Sequence, residues 1–188
     1  MIEINIKDKA LYFATVAHDG QKRKGLKNLP YIVHPIEVGE FLENFMLSDE
    51  LVAAGYLHDV VEDTKFTLDD IRNGFGDKVA TFVDHASEPD KSLSWLERKT
   101  HTILITKDLP LESKYLVCAD KISNLNATAL YFETVGNRDF SIFKTGEDMQ
   151  MWYFTSLYNS IIANETENDG IFKLFKEAII KVFPNAIL

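Results

Sequence analysis

Along most of the chain the apolar positions recur three and four residues apart, the spacing that gathers side chains on one face of an α-helix. Ala10, Leu11, Phe13, Ala14 and Ala17 keep it over residues 6–18, and Gly20 closes that segment. Pro35, read as a first helical residue, opens a second helix through Phe45. A third segment is almost wholly apolar, with Leu51, Val52, Ala53, Ala54, Leu57, Val60 and Val61, so it reads as one buried helix ending before the Thr64-Lys65 turn. Ser48 stands as its N-cap and Asp49-Glu50 as an acidic first turn.

The rest of the chain continues in this manner. Thr67-Leu68-Asp69-Asp70 reads as a capping box with Asp in place of Glu, opening a short helix that stops near Gly74 and Gly76. Further helices are predicted over residues 77–86, from Ser94 to about Lys107, and from Leu111 to Tyr131. Residues 132–146 carry weak periodicity and read as a loop or broken helix. Two helices follow, over 147–163 and 171–183, joined by the polar turn 164–170. With no repeat, low-complexity stretch or linker, the expectation is one all-α domain across residues 1–188.

Composition and charge then narrow the function. The chain has 188 residues, 46% of them hydrophobic and 26% charged, which suits one globular domain. Its formal net charge of −9 argues against a general nucleic-acid or anionic-membrane binder, since both need a basic surface. Cys118 is the single cysteine, so intrachain disulfides and Cys-rich zinc sites are excluded. The N-terminal residues show no basic region followed by an apolar stretch, and a cytoplasmic protein is expected.

Chemistry concentrates in Leu57-His58-Asp59-Val60-Val61-Glu62-Asp63-Thr64. On a helix His58 shares a face with Glu62, and Asp59 shares the adjacent face with Asp63. An imidazole and three carboxylates on a buried edge are costly unless something pairs them, and a divalent cation would do so. Imidazole with carboxylate suits Mn, Fe or Zn better than Ca. The His-Asp dipeptide alone would equally fit a satisfied core pair. His34, at the entry to the second helix, adds a possible ligand or a structural cap. Asp120 follows an apolar run and can pair with a core cation or complete a metal site, and Asn124 lies one turn further along the same face. The stretch Gln21-Lys22-Arg23-Lys24-Gly25-Leu26-Lys27-Asn28 is a basic loop in an acidic protein, suited to phosphate or to solvent. His85 and His101 lack partner motifs and read as structural or surface residues.

In this order His34, His58-Asp59 and Asp120 resemble the HD metal-dependent phosphohydrolases. Five stretches narrow the likeness: Ala17-His18-Asp19-Gly20-Gln21-Lys22-Arg23-Lys24, Pro30-Tyr31-Ile32-Val33-His34-Pro35, His58-Asp59-Val60-Val61-Glu62-Asp63-Thr64, Phe75-Gly76 and Ala119-Asp120-Lys121-Ile122-Ser123-Asn124. Together they look like the hydrolase domain of the RelA/SpoT family, in the form of the small alarmone hydrolases that include metazoan SpoT homologues. The likeness is close over residues 6–131 and loose beyond.

The resemblance implies an all-helical HD fold that removes the 3′-pyrophosphate of guanosine tetraphosphate or pentaphosphate, usually with Mn2+. It makes His34, His58, Asp59 and Asp120 the metal ligands, and gives Glu62 and Asp63 the attacking water. Arg23, Lys24 and Asn124 would contact the nucleotide; Lys99, which with Arg98 would ordinarily face solvent, joins them if that end of its helix points towards the central one. The metazoan relatives bring a basic and an aromatic residue to the nucleotide from a late helix, where this chain has Glu147-Asp148-Met149-Gln150-Met151-Trp152-Tyr153. Trp152 or Tyr153 could stack on the base there, or belong to the core. That departure keeps two alternatives open: another nucleotide substrate, such as an adenine alarmone or NADPH, and a catalytically silent nucleotide sensor or antitoxin-like partner.

Overall fold

A computed structural model describes residues 5–26, 29–88, 91–165 and 170–188. These residues are all-helical, as the periodicity requires: α1 (Ile6–Ala17), α2 (Val33–Asn44), α3 (Asp49–Leu57), α4 (Val60–Asp63), α5 (Leu68–Phe75), α6 (Asp77–Ala86), α7 (Trp95–Thr106), α8 (Leu111–Val135), α9 (Glu147–Ile162) and α10 (Gly170–Val182), with one 3-10 turn at Phe140–Ile142. The one extended feature among them is an isolated bridge between Lys22 and Pro30. No helix of the described residues is long and apolar enough to cross a membrane.

The chain divides into two compact units. The first comprises Met1–Arg23, Lys27–Ser87 and Leu111–Asp120, and the second Lys24–Leu26, Glu88–Pro110 and Lys121–Leu188. Within the first, α3 is buried on every side, with Leu51, Val52, Ala53, Ala54 and Leu57 fully shielded from solvent. Each large apolar side chain so buried contributes about 1.5–3 kcal/mol. Helices α1, α2 and α6 all pack on α3. The small Ala10 and Ala14 are the buried residues of α1, and α2 approaches through glycine. A Cβ on Gly55 would stand 2.9 Å from Leu42 Cδ1 and 3.1 Å from the Gly39 backbone. Both helices therefore need hydrogen in place of a side chain where they cross.

Three boundaries differ from the sequence expectation. The long apolar helix ends at Leu57, and His58-Asp59 form a turn before α4. The His58 ring explains the break: its Nδ1 lies 2.8 Å from the Gly55 carbonyl, the acceptor that the Asp59 N–H would use in an unbroken helix. Helix α2 begins at Val33, so Pro35 is its third residue. The missing proline N–H still falls in the first turn, where no intrahelical acceptor exists. Ser48 holds the N-cap position of α3 without capping it, because its hydroxyl donates to Glu112 at 3.2 Å. The capping box of Thr67 and Asp70 is present as expected.

In the second unit α9 packs against α7 and α10. Helix α8 continues to Val135, beyond the expected end at Tyr131. There the Phe132 ring meets Phe140 at 4.9 Å, and Gly136 at φ 73° closes the helix by donating to the Phe132 carbonyl. Glu88 accepts from Arg98 and Lys99, all three being mostly buried. Burial alone would raise the Glu88 carboxyl, but Lys99, then Lys121, outweigh it and hold the group below the usual carboxylate range.

Two stability predictions follow from these contacts. Gly55→Ala should cost about 1–3 kcal/mol by forcing α2 and α3 apart, read as a lower denaturation midpoint. Glu88→Gln should cost about 1–2 kcal/mol at pH 7, because two cations lose their partner. A depressed carboxylate stabilises above its unfolded pKa, about 4.3, and loses that contribution as pH falls through its folded value. Melts of wild type and Glu88→Gln should therefore converge as pH drops below about 4.

Candidate metal centre

The site assembles in the first unit from α2, the His58-Asp59 turn and the start of α8. His34 lies in the first turn of α2 and is 1% exposed; His58 is equally buried, and Asp120 is 5% exposed. Their side chains meet. The two Nε2 atoms are 3.2 Å apart. Asp59 Oδ2 lies 3.3 Å from His34 Nε2 and 3.1 Å from His58 Nε2. Asp120 Oδ1 lies 3.2 Å from His34 Nε2 and 3.8 Å from His58 Nε2. His34, His58 and Asp120 each offer one ligand atom within 4.8 Å of the others.

These separations fit a shared cation. Ligand atoms about 2.1–2.2 Å from one centre stand about 3.0–3.1 Å apart at right angles and about 3.4–3.6 Å apart at tetrahedral angles. Donor chemistry agrees for His58. With its Nδ1–H donated to the Gly55 carbonyl, Nε2 presents a lone pair to the cluster. His34 is constrained differently, since Arg23 Nη2 lies 3.1 Å from its Nδ1. A guanidinium only donates, so that contact puts the lone pair on Nδ1. Ligation through Nε2 needs the opposite tautomer, and Arg23 must then give up the ring.

The local field draws positive charge inward. Burial by itself would lower the His58 pKa, but Asp59 and then Asp120 reverse that and push it up to about 9. Burial would likewise raise Asp59; the neighbouring His58 and His34 overcome it and hold the carboxyl well below its ordinary range. A proton or a divalent cation can answer the same demand, so binding a cation releases protons.

The basic loop is tied down at its two ends. Tyr31 N–H donates to the Gln21 carbonyl at 3.0 Å, and Arg23 N–H to the Leu29 carbonyl at 2.9 Å. Lys27 and Asn28, also part of the expected basic loop, lie outside the described residues. Glu62 is half-buried and Asp63 exposed, both on α4. The remaining candidates belong to the second unit. Lys24 is exposed, with its ammonium 5.4 Å from the Phe143 ring, and partial burial followed by Lys144 lowers its pKa. Asn124 is half-buried on α8. Lys99 sits 4.5 Å over the Tyr153 ring, and Tyr153, only 2% exposed, also meets Trp95. Trp152 is half-buried beside Trp95. In the first unit, the half-buried His85 bonds Ser113 at 2.8 Å.

Sequence reasoning gave no role to Tyr31 or His18. The Tyr31 hydroxyl donates to Asp59 Oδ2 at 2.5 Å, and the His18 ring lies 4.9 Å from the Tyr31 ring. Both stand inside the motifs that carried the resemblance, and that position was the available signal.

Two buried imidazoles and two carboxylates converge within a helical unit, and three of them, His34, His58 and Asp120, are placed so that they could hold a metal ion. The chain belongs to the HD domain family, which matches residues 10–128. It is 37% identical over 119 residues to the mouse protein named guanosine-3′,5′-bis(diphosphate) 3′-pyrophosphohydrolase MESH1; the match takes in 62% of this chain and 66%, just under two thirds, of the mouse one. Among solved structures, lmo0812 from Listeria monocytogenes EGD-e is 38% identical with a TM-score of 0.75, covering 81% of this chain and 99% of that one. A metazoan ortholog of SpoT that hydrolyses ppGpp and plays a role in starvation responses is 25% identical with a TM-score of 0.78, covering 100% of this chain and 99% of its own.

If the cluster holds a divalent cation, replacing His58 or Asp120 by Ala should weaken its binding by about 100-fold or more, measured by calorimetric titration of folded protein across a panel of divalent metals.

Proposed function

We propose that the chain is a divalent-metal pyrophosphohydrolase that removes the 3′-pyrophosphate of guanosine tetraphosphate or pentaphosphate, with Mn2+ held by His34, His58, Asp59 and Asp120. The observation that carries the reading is the convergence of those four side chains at 3.1–3.8 Å. Similarity to proteins named for ppGpp hydrolysis supports the substrate. The whole of residues 1–188 is taken as one working hydrolase, and the single, buried Cys118 suits the reducing cytoplasm.

A divalent cation held by His34, His58, Asp59 and Asp120 would lower the pKa of the attacking water and draw charge from the phosphoryl group. The protein's own residues supply the rest. Glu62 or Asp63 accepts the water proton as its oxygen attacks the phosphorus borne by the 3′-oxygen. The bond from that phosphorus to the 3′-oxygen breaks, pyrophosphate departs, and the 3′-oxygen takes up a proton. Arg23, once free of the His34 ring, offers a planar donor pair to a substrate phosphate, and Lys24 adds a second cation. We assign Asn124 to nucleotide binding on the strength of the family resemblance; Lys99 and the half-buried Trp152 are the further candidates, while Tyr153, 2% exposed, fits the core alternative.

The reaction is tested by following pyrophosphate release from guanosine tetraphosphate with and without Mn2+, using Asp59→Ala as the contamination control. Release that needs Mn2+ and vanishes in the variant is expected. No release from metal-loaded wild type would remove this substrate and turn the assay to adenine alarmones and NADPH, with tight binding but no product marking a silent sensor. Glu62→Gln should keep Mn2+ affinity and lose about 100-fold or more in kcat.

A further inference from the structure

We propose that Tyr31 is a positioning residue that fixes the metal-facing oxygen of Asp59 and couples it to Asp63; the inference rests on the metal-hydrolase reading above. The phenol has one proton to give. It lies 2.5 Å from Asp59 Oδ2 and 3.3 Å from Asp63 Oδ2, so the proton is directed at Asp59 with Asp63 at the edge of reach. Asp59 Oδ2 is also the oxygen 3.1–3.3 Å from both imidazoles. One hydroxyl therefore restricts rotation of that carboxylate and separates two like charges that would otherwise face each other.

The chain around Tyr31 is built to keep that hydroxyl where it is. Tyr31 N–H is bonded to the Gln21 carbonyl, and Gln21 Nε2 donates to the Asp63 carbonyl at 2.8 Å. Because a carbonyl only accepts, the Gln21 amide is oriented, and its Oε1 takes the His18 Nδ1–H at 2.8 Å. His18 Nε2 is then a buried acceptor without a hydrogen-bond partner among the described residues, in a ring 2% exposed against the Tyr31 ring. An unsatisfied buried nitrogen is a cost the fold carries at this place. Here it accompanies a strut, from α1 through Gln21, that sets Tyr31 and the Asp63 backbone together.

The test is Mn2+ titration of Tyr31→Phe, read by electron paramagnetic resonance of free Mn2+, beside melting of the metal-free protein and ppGpp kinetics. Tyr12→Phe, at a position 73% exposed, is the control. Tyr31→Phe should bind Mn2+ about 10–100-fold more weakly, with the metal-free protein folded and melting only modestly lower, KM unchanged, and kcat partly restored by saturating Mn2+. Mn2+ affinity within about threefold of wild type would overturn the inference, as would a loss of affinity explained by equal loss of metal-free stability. Wild type that binds Mn2+ but spares ppGpp overturns the substrate alone and leaves the titration to decide on Tyr31. Wild type that binds no Mn2+ overturns the metal reading and this inference with it.

Discussion

The structure of the first unit is governed by the cost of holding His34, His58, Asp59 and Asp120 together away from water. Charged or half-paired polar groups in such a place are destabilising by several kcal/mol unless each has a partner. Here each ring and carboxylate finds its partners among the same set, with Gly55, Arg23 and Tyr31 around it. The backbone adapts to this requirement. Helix α3 gives up its continuity at His58 so that a side chain, and not the Asp59 N–H, faces the Gly55 carbonyl. The same Gly55 permits α2 to approach closely enough for His34 to meet His58. One glycine thus serves the packing of two helices and the tautomer of a proposed ligand.

Much of this was legible in the chain because helix formation is local. The spacing of Ala10, Ala14, Leu51, Leu57, Ile71 and Val83 reports a face, and all six are fully shielded from solvent. The capping box at Thr67 is written in residues three apart; the structure adds a second one at Ser94 and Glu97, which the sequence reading passed over. What periodicity could not show was competition between side chain and backbone. The break at His58-Asp59 and the Ser48 hydroxyl turned towards Glu112 both depend on partners chosen in three dimensions. The extension of α8 past Tyr131 likewise depends on Phe140, eight residues beyond Phe132 in a stretch with little pattern of its own.

The candidate site was legible for a different reason. Histidine and aspartate in an apolar segment contradict the surrounding pattern, and a contradiction of that kind marks a place where something other than packing decides. Tyr31 carried no such mark. A tyrosine between Pro30 and Ile32 fits any half-buried position, and its importance appears only when the Asp59 and Asp63 oxygens are located around its hydroxyl.

Charge sets the remaining constraint. A chain with a net charge of −9 repels anions at long range, so affinity for the proposed nucleotide would have to come from short-range cations. Arg23 is the informative case, because its guanidinium rests on the ring that a metal would use through the opposite nitrogen. On the proposed reading, a cation on His34 Nε2 would place the ring proton on Nδ1, where it would oppose the Arg23 donor. Loading the site and turning the Arg23 guanidinium from the ring towards a phosphate would then be one change in hydrogen bonding, by which an acidic protein would offer a cation to an anionic substrate.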